Sequence, residues 1–394
     1  MHATELFDKT IGPACQWMHK ARLEALKAAV EAVAVARCLS VTGLGRAARA
    51  TSEKNGIKRM DRLIGNNKLQ AEAKEVYKAM AMWRLKGQER PVILIDWSPL
   101  KEDNSLHLLS SYLPSLGRGL PLYQEVHPES LVGNREVQSH FLDTLQEVLP
   151  MGCRPVIVTD GGFKNPWFRA IEAKGWDWLG RIRGTTKLAR PDKEMWIRCT
   201  KVASQLPLNK ATHLGKFLLT ESNRLPCTLY GLKSPPKGRV DRTAHGQRAR
   251  SRKSRVNAAR ESEPWLLATS LPADNSLTEA VITTYRKRMQ IEEGFRDAKD
   301  ERYGLGLDMS LSKSKERYTV LLLVAALAVF IAWLFGKVAY QRKLHLKYQA
   351  NTVTHRRVLS FIYLGIRVVR RGGIPIATWE LIAARNSLRE AHAF

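Results

Sequence analysis

The sequence predicts an α/β protein whose sheet-forming core is flanked by helical segments and interrupted by a β-rich insertion. Two continuous apolar runs, PVILIDWS and RPVIVTDGGF, are bounded by Pro and turn residues, which is typical of fully buried strands. Residues Cys15 to Lys86 are instead rich in Ala, Leu, Lys and Arg and show no strand alternation. The insertion is indicated by short alternating, strand-like segments between Gly184 and Asn275, such as KFLLTES, PCTLYGLK and PWLLATSL, with Pro and Gly between them.

The composition indicates a polyanionic partner. The chain has 394 residues and a formal net charge of +27, which either nucleic acid or an anionic membrane surface would neutralise. Its length allows two or three domains. The five cysteines include no C-x-x-C pair, so the pattern is that of a reduced, intracellular protein rather than a zinc site or a disulfide framework. The first residues, MHATELFDKTIGP, lack the basic and apolar regions of a signal peptide.

The N-terminal segment contains a candidate helix-turn-helix. Thr42 is expected to cap a short helix through Ala50, and a polar turn from Ser52 to Gly56 precedes a second helix that ends at Ile64. The second helix carries the cations Lys58, Arg59 and Arg62. This arrangement is compatible with DNA recognition, and a plain helical bundle with a solvated basic face explains the pattern equally well.

The next segment supplies the predicted sheet. Asp96 ends the first strand, SLHLLSSYLP and LPLYQEVH follow as antiparallel strands, and Asn134 to Leu149 forms an amphipathic helix. Asp160 ends a fourth strand, a helix covers Pro166 to Lys174, and WDWLGRIR supplies a fifth strand. This β-β-β-α-β-α-β order is that of an RNase H-like core, in which the first and fourth strands are neighbours. We therefore expect Asp96 and Asp160 at one edge of the sheet, where open α/β sheets carry their chemistry.

A basic run lies within the predicted insertion. Lys233 to Arg260 contains ten Lys or Arg residues against the single acid Asp241. Cations at this density repel one another unless a polyanion neutralises them, which favours phosphate contact over a merely solvated loop. The cations expected to contribute are Arg248, Arg250, Arg252, Lys253 and Arg255.

The stretch Val281 to Lys299 carries a spaced set of polar residues. Tyr285, Arg288, Glu292 and Lys299 follow one another at steps of three, four and seven, which places them on one face of a continuous helix. A phenol and two cations around one acid suit a site where the carboxylate holds a cation and its neighbours hold phosphate. Ordinary i,i+4 ion pairs on a charged helix are the alternative interpretation.

Three acids become notable in combination. A single aspartate at the end of a strand more often caps a turn than performs chemistry. Asp96, Asp160 and Glu292 together, however, supply enough carboxylate oxygens to hold a pair of hard divalent cations. The combination therefore predicts a metal-binding catalytic site.

The three acids and the Tyr-x2-Arg-x3-Glu-x6-Lys spacing resemble the DDE transposases of insertion-sequence family four. IKRMDRLIGN, LIDWS, VTDGGFKNPWF, PWLLATSLP, RMQIEEGFRD and YGLGL are similar to that family too, so the resemblance covers most of the chain. It implies a DNA transposase that cuts an insertion sequence at its ends and joins it to target DNA by metal-dependent phosphoryl transfer, through a hairpin intermediate. Asp96, Asp160 and Glu292 are then catalytic residues and ligands of two Mg²⁺ ions per active site, which Mn²⁺ can replace.

The resemblance also implies partners and DNA contacts. The partners are the double-stranded DNA of transposon ends and target and a second copy of the chain in a homodimer, in the bacterial cytoplasm at the nucleoid. Tyr285, Arg288 and Lys299 are expected to hold terminal phosphates, and the helices that carry Lys58, Arg59 and Arg62 are expected to recognise the transposon end. The family has a tryptophan at the position of Trp265, where it receives a base flipped out of the duplex, whereas a core aromatic is the alternative. Met289 stands where some relatives have a second tryptophan, so no base-holding role is assigned to it.

One uncharged run, Val320 to Phe335, sits at the short limit for a membrane span. Because it directly follows the Glu292 helix, we expect a buried helix against the sheet instead. The remainder is helical and basic, as in LGIRVVRRGG, and is compatible with contact to DNA or to another subunit.

The expected domain division has five parts. These are a helical DNA-binding domain over 1–85, the first part of an RNase H-like core over 86–184, a β-rich insertion with the basic loop over 185–276, the last part of the core with the catalytic helix over 277–340, and a helical region over 341–394. A transposase-derived DNA-binding protein without catalysis and a basic membrane-associated protein are the alternative functions.

Overall fold

The computed structural model describes residues 2–101, 103–193, 195–236, 238, 240, 247–252, 254, 263–302 and 304–394. The chain divides into two compact units. Unit 1 combines Met1–Pro155 with Lys287–Phe394, and unit 2 is Val156–Arg286. The predicted division into five domains stays a prediction.

The described residues form the following elements. The helices, in chain order, are α1 Ala3–Thr10, α2 Lys20–Ala36, α3 Val41–Ala47, α4 Glu53–Ile64, α5 Asn67–Leu85, α6 Arg135–Val148, α7 Asn165–Glu172, α8 Cys199–Ser204, α9 Thr278–Arg286, α10 Met289–Lys299, α11 Lys315–Gln341, α12 Phe361–Arg370 and α13 Thr378–His392. The strands are β1 Val92–Pro99, β2 Leu106–Pro114, β3 Gly119–Pro128, β4 Val156–Thr159, β5 Asp177–Ile182, β6 Lys187–Ala189, β7 Ile197–Arg198, β8 Thr212–Leu219, β9 Leu225–Leu232 and β10 Trp265–Thr269. Short 3₁₀ helices span Gly12–Cys15, Glu129–Leu131, Asn275–Leu277, Leu307–Met309 and Leu344–Lys347.

The N-terminal helices of unit 1 differ in detail from the helix-turn-helix expectation. The cap of α3 is Ser40, whose side chain accepts from the backbone N–H of Gly43 at 3.1 Å, and not Thr42. The helix ends at Ala47 and not at Ala50, because Ala48 is already extended. Ser52 caps α4 by accepting from Asn55 N–H at 3.2 Å, so most of the expected turn from Ser52 to Gly56 is already helix. Both errors have the same cause, because several Ser and Thr residues stand close together and pattern alone does not decide which one caps.

Two glycines let α3 and α4 approach closely. A Cβ at Gly45 would lie 2.3 Å from the Cα of Ile57, and a Cβ at Gly56 would lie 2.2 Å from the carbonyl oxygen of Gly45. No side chain fits between the two helices there. Gly45 is therefore a packing residue as well as a weak helix former.

The sheet of unit 1 begins with a fully buried strand. Val92, Ile93, Leu94 and Ile95 in β1 have no exposed surface, as predicted from the continuous apolar run. β1 pairs antiparallel with β2, with Asp96 opposite Ser110, and β2 pairs antiparallel with β3. Helix α6 follows, and its cap Asn134 accepts from the N–H groups of Glu136 and Val137.

Helix α11 is the apolar run expected to be buried. It packs on β3, α2, α5 and α12. Among the described helices it alone is long and apolar enough to cross a membrane, unless α2 and α3, bent by 95°, are counted as one further span. Its most apolar window is 94% buried within the protein. The prediction of a buried helix against the sheet is confirmed.

Helices α11 and α12 meet through their backbones. A Cβ at Gly336 would lie 1.8 Å from the carbonyl oxygen of Phe361, and a Cβ at Gly365 would lie 1.7 Å from that of Ala332. The two helices therefore pack at a distance that no other residue type permits at these positions.

Unit 2 contains the remaining strands. β4 lies parallel to β5, and β10 pairs antiparallel with both β5 and β9. β8 and β6 continue the pairing from β9, and β7 ends it. Strands predicted at KFLLTES, PCTLYGLK and PWLLATSL are thus observed as β8, β9 and β10. Across the chain, the order β-β-β-α-β-α-β over β1 to β5 is observed, while the RNase H-like assignment itself stays a prediction.

The expected continuous helix from Val281 to Lys299 is wrong. The helix is interrupted after Arg286 and resumes at Met289, and the boundary between the two units falls at this interruption. The intervening turn uses tight i→i+3 bonds, from Gln290 N–H to Lys287 O at 2.9 Å and from Ile291 N–H to Arg288 O at 3.0 Å. The sequence has no Gly or Pro at this point, so it carries no local signal for the break.

Candidate active site

Asp96 lies within β1, directly after its four fully buried residues, and does not end the strand as predicted, because the pairing with β2 continues to Pro99. Its side chain is 17% exposed, in contrast to the fully buried residues before it. Its carboxylate accepts a hydrogen bond from the backbone N–H of Trp97 at 2.9 Å, which fixes the side-chain orientation. A charged group is thus held at the margin of a hydrophobic core, where it keeps partial access to solvent.

Arg288 joins Asp96 to Glu292. One guanidinium nitrogen donates to Asp96 Oδ2 at 3.1 Å, and another donates to Glu292 Oε1 at 2.5 Å. Arg288 is 13% exposed, whereas Glu292 is 45% exposed. The two carboxylates come from a strand and a helix that are far apart in the chain, and they share one cationic group. Unit 1 therefore brings three of the predicted site residues together.

Lys299 lies on the same face of α10. Its ammonium donates to the carbonyl oxygen of Pro99 and to Ser98 Oγ, the latter at 3.4 Å. Burial lowers the pKa of Lys299, and the carboxylate of Asp308 partly opposes this shift. The contacts with Ser98 and Pro99, which no sequence pattern predicts, hold the ammonium beside the end of β1.

Asp160 belongs to unit 2 and directly follows β4. Its Oδ1 accepts from the backbone N–H of Gly162 at 2.8 Å, and its Oδ2 lies 4.0 Å from an Arg183 guanidinium nitrogen. A Cβ at Gly161 would lie 2.9 Å from Arg183 Nε, and one at Gly162 would lie 2.9 Å from Asp160 Oδ1. The two glycines therefore leave room for both side chains. Arg183 was not singled out from the sequence, where one more cation in a basic chain carries no signal.

Asp160 and Tyr285 are in unit 2, whereas Asp96, Arg288, Glu292 and Lys299 are in unit 1. The convergence of Asp160 with Asp96 and Glu292 stays a prediction. The expectation that Tyr285 shares a continuous helical face with Arg288 is wrong, because the helix is interrupted between them.

Tyr285 and Trp265 contact each other within unit 2. Their ring centroids are 5.0 Å apart and the rings meet edge to face at 76°. Tyr285 is 4% exposed, and Trp265, the first residue of β10, is partly exposed. Trp265 is therefore not a fully buried core aromatic, and its ring is braced by a buried neighbour. Met289 is exposed, with its sulfur 3.9 Å from an Arg288 nitrogen.

The predicted DNA-binding cations of the N-terminal helices surround a groove. Lys58 and Arg62 are exposed on α4, and Arg59 donates to the carbonyl oxygen of Glu24 at 3.1 Å. With His19 and Arg22 they line a groove of ≈ 620 Å³ between α2 and α4. The surface is cationic, as the sequence predicted.

The cations of the basic run are only partly described. Arg248, Arg250 and Arg252 are exposed. Lys253 and Arg255 lie outside the described residues. Phosphate contact by this run stays a prediction.

The site residues of unit 1 suit a hard cation. In the part of the chain that the structure describes, no group of three or more His, Cys, Asp or Glu side chains is arranged to hold a metal ion. Asp96 and Glu292 nevertheless direct carboxylate oxygens at one positive group, the Arg288 guanidinium. Oxygen ligands of this kind are those that Mg²⁺ and Mn²⁺ prefer. The carboxylate oxygens of Asp96 and Glu292 are therefore of the chemical type that binds a divalent cation.

Comparisons with known proteins place the chain in a family. A family model described as a transposase DDE domain matches residues 113–331, which include Asp160 and Glu292 but not Asp96. No curated protein matches the chain. The chain is similar to a solved structure described as a piggyBac transposase synaptic complex with hairpin DNA, at 12% identity and a TM-score of 0.43, over 98% of this chain and 84% of that one. Because the family match spans more than half of the sequence, this chain belongs to the DDE transposase family.

Proposed function

We propose that the protein is a cut-and-paste DNA transposase of the insertion-sequence family four type. Its Asp96, Asp160 and Glu292 form the catalytic acids, and it cuts an insertion sequence at its ends and joins it to target DNA. The observation that carries the proposal is the shared contact of Asp96 and Glu292 with Arg288 in a chain of the transposase family. This contact brings two of the three acids and the arginine of the spaced signature to one place.

The three acids would hold two divalent cations, Mg²⁺ or Mn²⁺. When bound, such cations lower the pKa of water and stabilise the charge that develops on oxygen during phosphoryl transfer. Asp96 is suited to the role because its buried strand and the Trp97 N–H fix its carboxylate. Glu292 is suited because it is the most exposed of the group and is open to a ligand from solvent.

Arg288 and Lys299 neutralise phosphate at the same place. The Arg288 guanidinium contacts Asp96 and Glu292, and its fork of donors is equally suited to phosphate oxygens. Lys299 adds a point charge held beside Ser98 and Pro99. Burial that lowers its pKa leaves the ammonium poorly hydrated, which favours an anionic partner over water.

The rest of the cationic surface binds the remainder of the duplex. The groove between α2 and α4 would contact the transposon end, and Arg248, Arg250 and Arg252 would contact phosphates further along. Trp265 offers a partly exposed ring, braced by Tyr285, on which a flipped base can stack. A hairpin intermediate, a homodimer that brings two transposon ends together, and action at the bacterial nucleoid complete the proposal.

Incubation of the purified protein with the DNA that flanks its gene tests this function. We expect Mg²⁺-dependent cleavage at the boundaries of short inverted repeats, and no cleavage of a duplex in which those repeats are scrambled. Chelation with EDTA should abolish the cleavage while binding to the same duplex, measured by gel shift, persists. Specific binding without cleavage in either Mg²⁺ or Mn²⁺ would contradict the proposal and identify a DNA-binding protein without catalysis.

A further inference from the structure

Helix α10 has two functional faces. Glu292, Lys299 and the preceding Arg288 lie within about 40° of one another at 100° per residue and face the end of β1. Gln290, Gly294 and Asp297 lie about 140–160° from Glu292, on the opposite face. The contacts of the opposite face therefore fix the orientation of the proposed catalytic face.

The opposite face rests on the hairpin formed by β2 and β3. A Cβ at Gly294 would lie 2.8 Å from the ring of Tyr112 and 3.1 Å from the carbonyl oxygen of Gly119. In turn, a Cβ at Gly119 would lie 2.9 Å from the carbonyl oxygen of Gln290. The ring of Phe295 packs edge to face on Tyr112, with centroids 5.4 Å apart. The backbones of helix and hairpin therefore approach closely at Gly119, and the ring of Tyr112 packs against the helix beside this contact. Such direct contact resists small shifts of the helix.

Arg118, in the turn between β2 and β3, fastens this contact electrostatically. Its Nε donates to Asp297 Oδ2 at 2.9 Å, and a terminal nitrogen lies 3.5 Å from Glu293 Oε2. The Asp297 side chain is 15% exposed. Burial raises the pKa of Asp297, and the Arg118 guanidinium opposes this rise. Removal of Arg118 would leave a largely buried carboxylate without its ion-pair partner and weaken the attachment of the helix.

Gln290 links the same turn to the core of unit 1. Its side-chain oxygen accepts from the backbone N–H of Ser115 at 2.9 Å. Ser115 Oγ in turn accepts from the indole N–H of Trp333 at 3.0 Å, on the buried helix α11. The turn Ser115 to Gly119 is therefore anchored on one side in the core and on the other along α10.

We propose that Arg118 is a positioning residue for the catalytic helix. It touches neither Asp96 nor Glu292 through any contact that the structure records, and it acts by holding Asp297 so that Glu292 and Arg288 face β1. This inference rests on the proposed transposase function. Because Arg118 acts on the geometry of the acids and not on the cationic groove, its loss affects the chemical step and metal binding rather than DNA affinity.

Three variants and one control test the role of Arg118. Arg118→Ala removes the ion pair with Asp297, and Arg118→Lys keeps the positive charge without the guanidinium fork. Asp297→Asn removes the negative charge of the ion pair with little change in side-chain volume. The control is Arg342→Ala, which breaks a comparable ion pair to Glu380, at 2.8 and 2.6 Å, that joins the ends of α11 and α13. All are full-length proteins measured at a temperature where circular dichroism shows them folded.

The measurements are the single-turnover cleavage rate, the Kd for the same duplex, and Mn²⁺ binding without DNA followed by electron paramagnetic resonance. We expect Arg118→Ala to slow cleavage about 100-fold, the loss that a displacement of about 1 Å can cause, with the DNA Kd changed less than about twofold. Mn²⁺ should bind about tenfold more weakly. Arg118→Lys should recover about tenfold of the lost rate, and Arg342→Ala should cleave at the wild-type rate. If Arg118→Ala does not fold, Asp297→Asn carries the test with the same direction of change.

Wild-type rates and Mn²⁺ affinity in both Arg118→Ala and Asp297→Asn would overturn the inference. So would an equal slowing in Arg342→Ala, because that would identify general destabilisation as the cause. Failure of the proposed function is distinguishable, since the wild-type protein would then not cleave at all.

Discussion

The guanidinium of Arg288 donates a 3.1 Å hydrogen bond to the carboxylate of Asp96, a residue 192 positions earlier in the chain. The same guanidinium donates to Glu292 one turn along α10. One cation therefore stabilises two acids that would otherwise repel each other at short range. The spacing of three residues between Arg288 and Glu292 is explained by this geometry, because i,i+4 side chains meet on one face.

Replacement of Arg288 by Gln should weaken the response of DNA binding to salt. If Arg288 transfers from the carboxylates to a phosphate, the slope of log K against log salt should fall in magnitude by about one in Arg288→Gln. Fluorescence anisotropy with a pre-cut end duplex, over a series of salt concentrations, measures the slope. Lys74→Gln, which removes an exposed cation paired with Glu147, is the control and should leave the slope unchanged. An unaltered slope in Arg288→Gln would mean that Arg288 touches no phosphate.

Replacement of the exposed arginines of the basic run should reduce the salt dependence of DNA binding more than replacement of Arg288 does. Simultaneous replacement of Arg248, Arg250 and Arg252 by Gln should reduce the slope by about two to three, because each neutralised phosphate contributes about 0.9. The measurement is the same salt series with an uncut duplex. An identical slope in wild type and triple variant would exclude phosphate contact by these arginines.

Gly365→Ala should destabilise the fold despite the better helix propensity of alanine. At an unobstructed helix position the change stabilises a protein by about 0.5–1 kcal/mol. Here the new methyl group would overlap the carbonyl oxygen of Ala332 at 1.7 Å and force α11 and α12 apart. We expect a loss of about 3 kcal/mol or more in the free energy of unfolding by urea. The control Asn386→Ala, at an exposed position of α13, should not destabilise, and equal stability of Gly365→Ala and wild type would contradict the close contact.

Buried elements of the fold were predictable because their patterns are local. The apolar residues of β1 and α11 form continuous runs, and both elements are buried as expected. The interruption between Arg286 and Met289 was not predictable, because tertiary context and not a helix-breaking residue ends α9. Helix α1 was also missed, because its eight residues carry no marked apolar run and no side-chain cap.

The charged residues of the candidate site were predictable from the sequence, but the residues that position them were not. Spacing identified Arg288 and Glu292, since i,i+4 partners are visible in one dimension. Arg118 and Gln290 could not be found in this way, because their partners are fixed by the packing of α10 on a distant hairpin. These contacts require the backbones of α10 and of the β2–β3 hairpin to approach closely in the folded protein. Gly119 and Gly294 permit this close approach.

The buried His392 should make stability depend on pH. Burial, together with the nearby charges of Arg84, Lys287 and Arg389, lowers the pKa of His392 from 6.5 to about 3. Below pH 6.5 the unfolded chain binds a proton at this residue while the folded protein does not, so stability falls as the pH decreases from 6.5 towards 3. This residue should contribute up to about 1.4 kcal/mol per pH unit over that range.

Urea unfolding of wild type and His392→Asn at several pH values isolates the contribution of this histidine. Other groups cancel in the comparison, so the difference in unfolding free energy should shrink as the pH decreases from 6.5. A difference that is constant between pH 7 and pH 4.5 would contradict the account of His392.

The central claim is that Asp96, Asp160 and Glu292 act as one metal-dependent unit. The most direct measurement is single-turnover cleavage of an end duplex in Mg²⁺ by Asp96→Asn, Asp160→Asn, Glu292→Gln and the three double variants, with duplex affinity measured alongside. We predict that each single variant loses at least about 10³-fold in rate, that the double variants lose no more than the singles, and that affinity is largely retained. Wild-type cleavage by any one of the single variants, or losses that multiply in the double variants, would contradict the claim.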